Sequence, residues 1–168
     1  MLGLSPPCTT YSPLMVLFNL KNMPFAARQQ RFKQAHVLLD FAMLCARIQH
    51  RAGRKFYFEH PRRATSWCRN QVKDVERLSG VIKVHFDQCA LGLCSPSGKP
   101  LKKPTTIMTN SMALVNNLKG KKCTCKTLPH KQIMGMEQGV KLSIWAAAYP
   151  KPMCRLLAAA VEEENRTK

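Results

Sequence analysis

At 168 residues the chain is long enough for one domain with an ordinary core, and its hydrophobic fraction of 45% excludes wholesale disorder. Its 27 Lys and Arg against 9 Asp and Glu leave a formal charge of +18, which points to a polyanionic partner. No apolar run approaches the roughly 18 residues of a membrane span, and the basic residues form no single amphipathic block. Nucleic acid is therefore the expected partner and a membrane is not.

Met1-Leu2-Gly3-Leu4 leaves room for only a stub of strand before Ser5-Pro6-Pro7-Cys8. The two proline rings fix φ, and Pro7 also keeps Pro6 out of helical geometry, so Cys8 follows a stiff turn. Thr9, Thr10 and Ser12 continue as a loop. A long helix is predicted over 25–52, with Phe32, Ala35, Leu39, Ala42 and Ala46 on one stripe and Leu38, Phe41, Cys45 and Ile48 on another. So wide an apolar surface predicts a helix covered over most of its girth in its second half. Gly53 closes it.

Lys55-Phe56-Tyr57-Phe58 reads as a buried strand that ends in Glu59-His60-Pro61. A second helix is expected from Thr65 or Ser66 to about Leu78, with Cys68, Val72 and Val75 on its inner face. Residues 81–86 and 105–109 read as strands, separated by the turn-rich Ser95-Pro96-Ser97-Gly98-Lys99-Pro100. Alternation of this kind implies an α/β fold with parallel strands and crossover helices over residues 1–118. The remainder, 119–168, is expected to hold a basic Cys/His loop at 119–131 and helices near 137–148 and 152–164, with Tyr149-Pro150-Lys151-Pro152 between them.

Of the eight cysteines, Cys45, Cys68 and Cys154 lie in apolar helical stretches and read as buried free thiols. The start of the chain has no basic region followed by a hydrophobic one, so a reducing compartment, nucleus or cytoplasm, is expected.

Cys8 and Glu59 are the candidates for chemistry. Each lies just past or at the carboxyl end of a predicted strand, where ligands of open α/β sheets bind. A thiolate at Cys8 can act as a nucleophile, and a carboxyl at Glu59 can donate a proton. Basic residues collect nearby in sequence, with Arg28, Arg31, Lys33, Arg47, Arg51, Arg54, Lys55, Arg62 and Arg63 expected around the long helix and the Glu59 strand.

In their order, Ser5-Pro6-Pro7-Cys8-Thr9, the strand ending in Glu59, Asp87-Gln88-Cys89-Ala90-Leu91-Gly92 and Lys102-Lys103-Pro104-Thr105-Thr106-Ile107-Met108-Thr109-Asn110 resemble the C5-cytosine DNA methyltransferases. The likeness is to divergent phage-type members and to methylase-like frames carried by mobile elements, and it spans roughly residues 4–135. It implies a Rossmann-like, doubly wound methyltransferase sheet, here a partial one, followed by a basic, helical C-terminal segment. It also implies Cys8 as the nucleophile at C6 of a flipped-out cytosine, Glu59 as the acid at N3, and S-adenosylmethionine as methyl donor. Nucleic-acid contacts are expected from Arg28, Arg31, Arg54, Arg62, Arg63, Lys102 and Lys103, the two lysines standing roughly where the family has Gln-x-Arg-x-Arg. Glu59 is followed by His60 where the family usually has Asn.

The family's Phe-x-Gly-x-Gly cofactor motif precedes the Pro-Cys loop, and no Gly-x-Gly occurs in this chain. No cofactor-binding residue is assigned, and the chain is expected to be a truncated or degenerate copy. Its expected partners are nucleic acid, DNA more than RNA, and either a separate N-terminal half or a second copy of itself. The alternative is a non-catalytic basic nucleic-acid-binding protein that keeps the fold remnant.

Cys123, Cys125 and His130 fall where several family members carry a Cys/His stretch. Zinc needs four ligands, usually with wider Cys–Cys spacing, and no fourth is evident, although Cys94 or Cys154 could approach in space. The expected reading is a basic loop, with Lys119, Lys121, Lys122 and Lys126, that holds two incidental cysteines. No metal is assigned.

Overall fold

The computed structural model describes residues 1–13, 15, 22–125 and 129–166. Its elements are β1 (Leu2–Leu4), α1 (Phe25–Arg51), β2 (Phe56–Pro61), α2 (Asn70–Glu76), β3 (Ile82–Asp87), β4 (Pro104–Thr109), α3 (Met112–Leu118), β5 (Met136–Glu137), β6 (Val140–Lys141), α4 (Leu142–Trp145) and α5 (Lys151–Arg166). The fold is mixed α/β. Four strands form one sheet in the order β1-β2-β4-β3, and β5 and β6 form a separate hairpin. The chain divides into two compact units, residues 1–83 with 106–111 and residues 84–105 with 112–168.

β1 and β2 pair in parallel, in the register Leu2↔Phe56, Gly3↔Tyr57 and Leu4↔Phe58. A parallel pair needs a long crossover, which α1 supplies. At the central pair the Tyr57 ring lies across β1, and a Cβ on Gly3 would meet its hydroxyl at 2.5 Å. A glycine in this short strand therefore leaves room for the neighbouring aromatic ring.

β4 departs from the all-parallel expectation. Asn110, just past its end, accepts from the Phe56 N–H at 2.9 Å and donates to Arg54 O at 3.0 Å, at the start of β2. The end of β4 thus meets the beginning of β2, and the two run in opposite directions. The link from β3 to β4 contains only a one-turn helix, Gln88–Leu91, too short to cross the sheet, so the chain turns back on itself.

The core of the first unit packs Ala35, Leu39, Ala42, Met43 and Ala46 of α1 against Phe56 and Phe58 of β2, Val72 and Val75 of α2, Tyr11 and Met108. Ala35, Leu39, Ala42 and Ala46 belong to the first predicted stripe of α1, whereas Phe32 of that stripe is only half-buried. The second is not covered: Leu38 is 46% exposed, Phe41 64% and Ile48 50%, and Cys45 is only half-buried. The sheet and α2 meet one side of the helix only. α1 ends as expected, with Gly53 at φ +66 and the Arg54 N–H returning to Gln49 O at 2.9 Å.

The second predicted helix is two pieces, a turn at Thr65–Cys68 and then α2, because Arg69 between them is extended at φ −70, ψ 138. Val72 and Val75 are buried as expected, but the break takes Cys68 off their face and leaves it exposed.

In the second unit α3, absent from the sequence reading, buries Ala113, Leu114, Val115 and Leu118. Asn117 Nδ2 donates to Leu156 O of α5 at 3.1 Å. α5 buries Met153 and Ala160, and the neighbouring Cys154 is exposed rather than buried. The helix expected over 137–148 is instead the β5–β6 hairpin followed by the single turn of α4. Gln138 at φ 48 and Gly139 at φ 76 make a turn with two left-handed residues, which a helix cannot contain. Among the described residues no helix is long and apolar enough to cross a membrane.

Leu39→Ala is expected to cost about 2–5 kcal/mol, whereas Phe41→Ala should stay within about 0.5 kcal/mol of the parent. Urea unfolding of the two variants checks this contrast between the two stripes of α1.

Candidate functional site

The chain leaves β1 through Ser5-Pro6-Pro7 and reaches Cys8, half-buried, in right-handed helical geometry at φ −85, ψ −5. Cys8 starts a one-turn helix, Thr9–Tyr11, in which the Tyr11 N–H donates to Cys8 O at 3.0 Å. Tyr11 anchors that turn. It is 2% exposed, shares a 2.8 Å hydrogen bond with His36 Nδ1 on α1, and stacks on the same ring. Burial pushes the Tyr11 phenol up to about 12 and holds the His36 imidazole below its ordinary value.

Phe56, Phe58 and His60 alternate onto the core face of β2, so Tyr57 and Glu59 point to the other face. His60 is fully buried against Phe58, Tyr11 and Trp67, with ring centroids 4.6, 5.9 and 6.4 Å away. Its Nε2 lies 3.1 Å from Pro6 O and its Nδ1 2.7 Å from Ser66 Oγ. A carbonyl only accepts, so Nε2–H donates to Pro6 and Nδ1 accepts from the Ser66 hydroxyl. Burial holds His60 down at about 4, so the neutral ring that this pattern needs persists at neutral pH.

His60 therefore clamps the Pro-Pro-Cys turn to the strand that carries Glu59. In sequence His60 stands out only as a departure from Glu-Asn, because a bond across 54 positions leaves no local signal. Glu59 itself is buried, at 7% exposure. Since Leu4 pairs with Phe58, the Cys8 turn and Glu59 leave the same end of two adjacent parallel strands.

Within the first unit the predicted basic residues do not form one group. Arg28 and Arg31 lie in the first two turns of α1, upstream of His36, and Arg62 and Arg63 follow the end of β2. Arg54 stands at the other end of β2, where its Nε donates to Gln49 Oε1 at 2.7 Å. A six-residue strand, about 20 Å long, separates it from Arg62. Lys103, in the second unit, is engaged internally: its Nζ donates to Ala146 O at 2.7 Å and sits 5.7 Å from the Tyr149 ring centre. Lys102 is exposed, and Lys126 of the basic loop lies outside the described residues.

The second unit assembles a cluster of four donors, one more than the three that lie together in sequence. Cys89, Cys123, Cys125 and His130 bring their donor atoms within 4.8 Å of one another. The missing fourth donor is Cys89, from the turn after β3, rather than Cys94 or Cys154. Gln88, fully buried with its Nε2 donating to Thr105 Oγ1 at 3.0 Å, fixes that turn, and Gly92 at φ 83 ends it. Cys123 carries the most acidic of the three thiols, held down chiefly by a hydrogen bond from the Cys125 backbone. Burial and the neighbouring thiols push Cys89 up to about 12, and burial and Cys123 also raise Cys125.

No protein-family model, curated protein or solved structure matches the chain.

Because His60 is neutral in the fold and titrates near 6.5 when unfolded, the unfolded chain takes up the proton first as the pH drops. Stability is therefore expected to fall from about pH 6.5 towards pH 4, by up to about 3 kcal/mol, and His60→Gln should remove that part of the slope. Unfolding midpoints across this range check it, as does a His60 proton NMR signal that stays constant down to about pH 5.5.

Proposed function

We propose that this chain is a cytosine methylase-like protein that binds nucleic acid and presents Cys8 to an unstacked cytosine. The observation that carries the reading is the His60 Nε2–H bond to Pro6 O, which ties the cysteine turn to the Glu59 strand. Cys8 and Glu59 leave the same end of two adjacent parallel strands, which supports pairing a nucleophile with an acid at that end.

In the step assigned to them, the Cys8 thiolate forms a bond to C6 of the base. The C5–C6 π pair moves through C4 onto N3, and N3 takes the proton of the Glu59 carboxyl. The product is a neutral adduct in which C5 is nucleophilic, and loss of the thiolate reverses the step. C6 is out of reach in a stacked duplex, so the base must first leave the stack. S-adenosylmethionine would supply a methyl group to C5. The loops leaving β1 and β2, Ser5-Pro6-Pro7-Cys8 and Arg62-Arg63, carry no glycine-rich turn that could cradle it. No methyl-transfer step is therefore assigned to these residues. The formal charge of +18 supports nucleic acid as the partner and equally supports non-catalytic binding.

An oligonucleotide with 2-pyrimidinone in place of cytosine should form a denaturant-stable adduct with the protein. Cys8→Ser should abolish it and Glu59→Gln slow it by at least about 10²-fold. No adduct, or one that survives Cys8→Ser, overturns the nucleophile. Salt-dependent binding that is indifferent to both substitutions would leave the non-catalytic reading.

Binding itself should weaken with salt, and Ala at each of Arg28, Arg31, Arg62 and Arg63 should flatten the log–log slope by about 0.9. Arg54→Ala should leave the slope unchanged, because Arg54 lies at the opposite end of β2. Titrations of a labelled duplex across a salt series measure both.

A further inference from the structure

The Cys89, Cys123, Cys125 and His130 cluster draws its members from two segments of the second unit. Cys89 sits in the one-turn helix after β3, and the other three lie in the loop that follows α3. Their donor atoms fit within 4.8 Å of one another. His130 Nε2 lies 3.1 Å from Cys123 Sγ and 3.4 Å from Cys89 Sγ. A tetrahedral zinc ion with bonds of about 2.3 Å to sulfur and 2.0 Å to nitrogen sets its ligand atoms about 3.5–3.8 Å apart, close to this arrangement. One imidazole nitrogen also faces two sulfurs at once. Without a metal that nitrogen meets both sulfurs only through a shared, three-centre bond, whereas a cation among the four donors meets all of them.

Within Cys123-Thr124-Cys125 the Cys125 backbone N–H donates to the Cys123 sulfur, so the segment folds locally around that donor. The loop is clamped on both sides of the cluster. The Cys123 N–H donates to Asp87 Oδ2 at 3.0 Å and the Asp87 N–H to Lys121 O at 2.9 Å. Beyond His130, the Lys131 N–H donates to Pro100 O at 2.9 Å and the Lys102 N–H to Lys131 O at 3.2 Å. Among the described residues of this loop, 119–124 are exposed and Cys125 is half-buried, so burial does little to hold them. Three thiolates and one divalent cation sum to a charge of −1, which Lys119, Lys121, Lys122 and Lys131 of the same loop offset.

We propose that these four residues form a closed Cys3His site for a zinc-class divalent cation, which fastens the basic 119–131 loop to the β3–β4 connection. With four protein ligands the site has no open position, so its role is structural rather than hydrolytic. Binding would stabilise the folded second unit, because the ligands converge only there. The proposal stands on different residues from the Cys8 reading and fails or holds independently of it.

The test is cobalt(II) titration of the full chain, reduced and freed of metal, followed by zinc competition and metal analysis. One equivalent should give thiolate-to-cobalt charge-transfer bands and the intense visible bands of tetrahedral cobalt, and zinc should bleach them. Cys89→Ser should abolish or distort this spectrum and Cys94→Ser should leave it as in the parent. Cys89→His, which retains a fourth ligand, should bind cobalt with charge-transfer intensity reduced by about a third. The absence of a tetrahedral species in the parent overturns the site. So does a spectrum untouched by Cys89→Ser, one lost equally in Cys94→Ser, or undiminished intensity in Cys89→His.

Discussion

The first unit depends on one buried imidazole. His60 has no access to water, so each of its ring nitrogens needs a partner within the protein, and it finds them in Pro6 O and Ser66 Oγ. The Pro6 carbonyl belongs to a turn whose prolines cannot donate to a ladder, so this bond does for the loop what strand pairing does for β1. Protonation would place a charge among Phe58, Tyr11 and Trp67, and the environment suppresses it. The constraint is thus self-consistent: burial keeps the ring neutral, and the neutral ring keeps the turn in place.

The remaining polar anchors of that unit follow the same logic. Tyr11 closes the turn after Cys8 from the helix side through His36. At the opposite end of β2, Asn110 and Thr109 satisfy backbone groups of Arg54 and Phe56 and bring the end of β4 there. Each anchor is a side chain bonded to a segment distant in sequence, where register alone would leave the short β1 weakly specified.

The second unit contains a short α3, a long α5 and a two-stranded hairpin, with much of the chain between them irregular. Glu137 collects Lys131 and Ser97 on one carboxylate oxygen, and hydrogen bonds from Lys131, Ser95 and Ser97 hold its carboxyl down at about 2. Trp145 Nε1 donates to Cys94 O, and Leu93, Leu101 and Ala146 form a small satellite cluster with Ile133. Polar pins of this kind, and a cation among the cysteines, suit a region in which little apolar surface is buried along the connecting loops.

By itself the chain determined its charge, the stiffness of the Pro-Pro-Cys turn, the α1 boundaries and Gly53 cap, and the strands around residues 56, 82 and 105. These rest on local rules: ring geometry, helical period and apolar runs. Only the tertiary structure decided which stripe of α1 is buried, since Leu38 and Phe41 are as apolar as Leu39, and coverage depends on what packs there. The direction of β4 followed from the absence of a crossover helix before it, and the split at Arg69 from one extended residue. The roles of His60 and Cys89 were hidden for the same reason. His60 is paired with a residue 54 positions away and Cys89 with one 41 positions away, and neither separation leaves a periodic trace in sequence. Period and propensity act between near neighbours, whereas a buried hydrogen bond or a shared donor set is made by segments that meet only after the chain has folded.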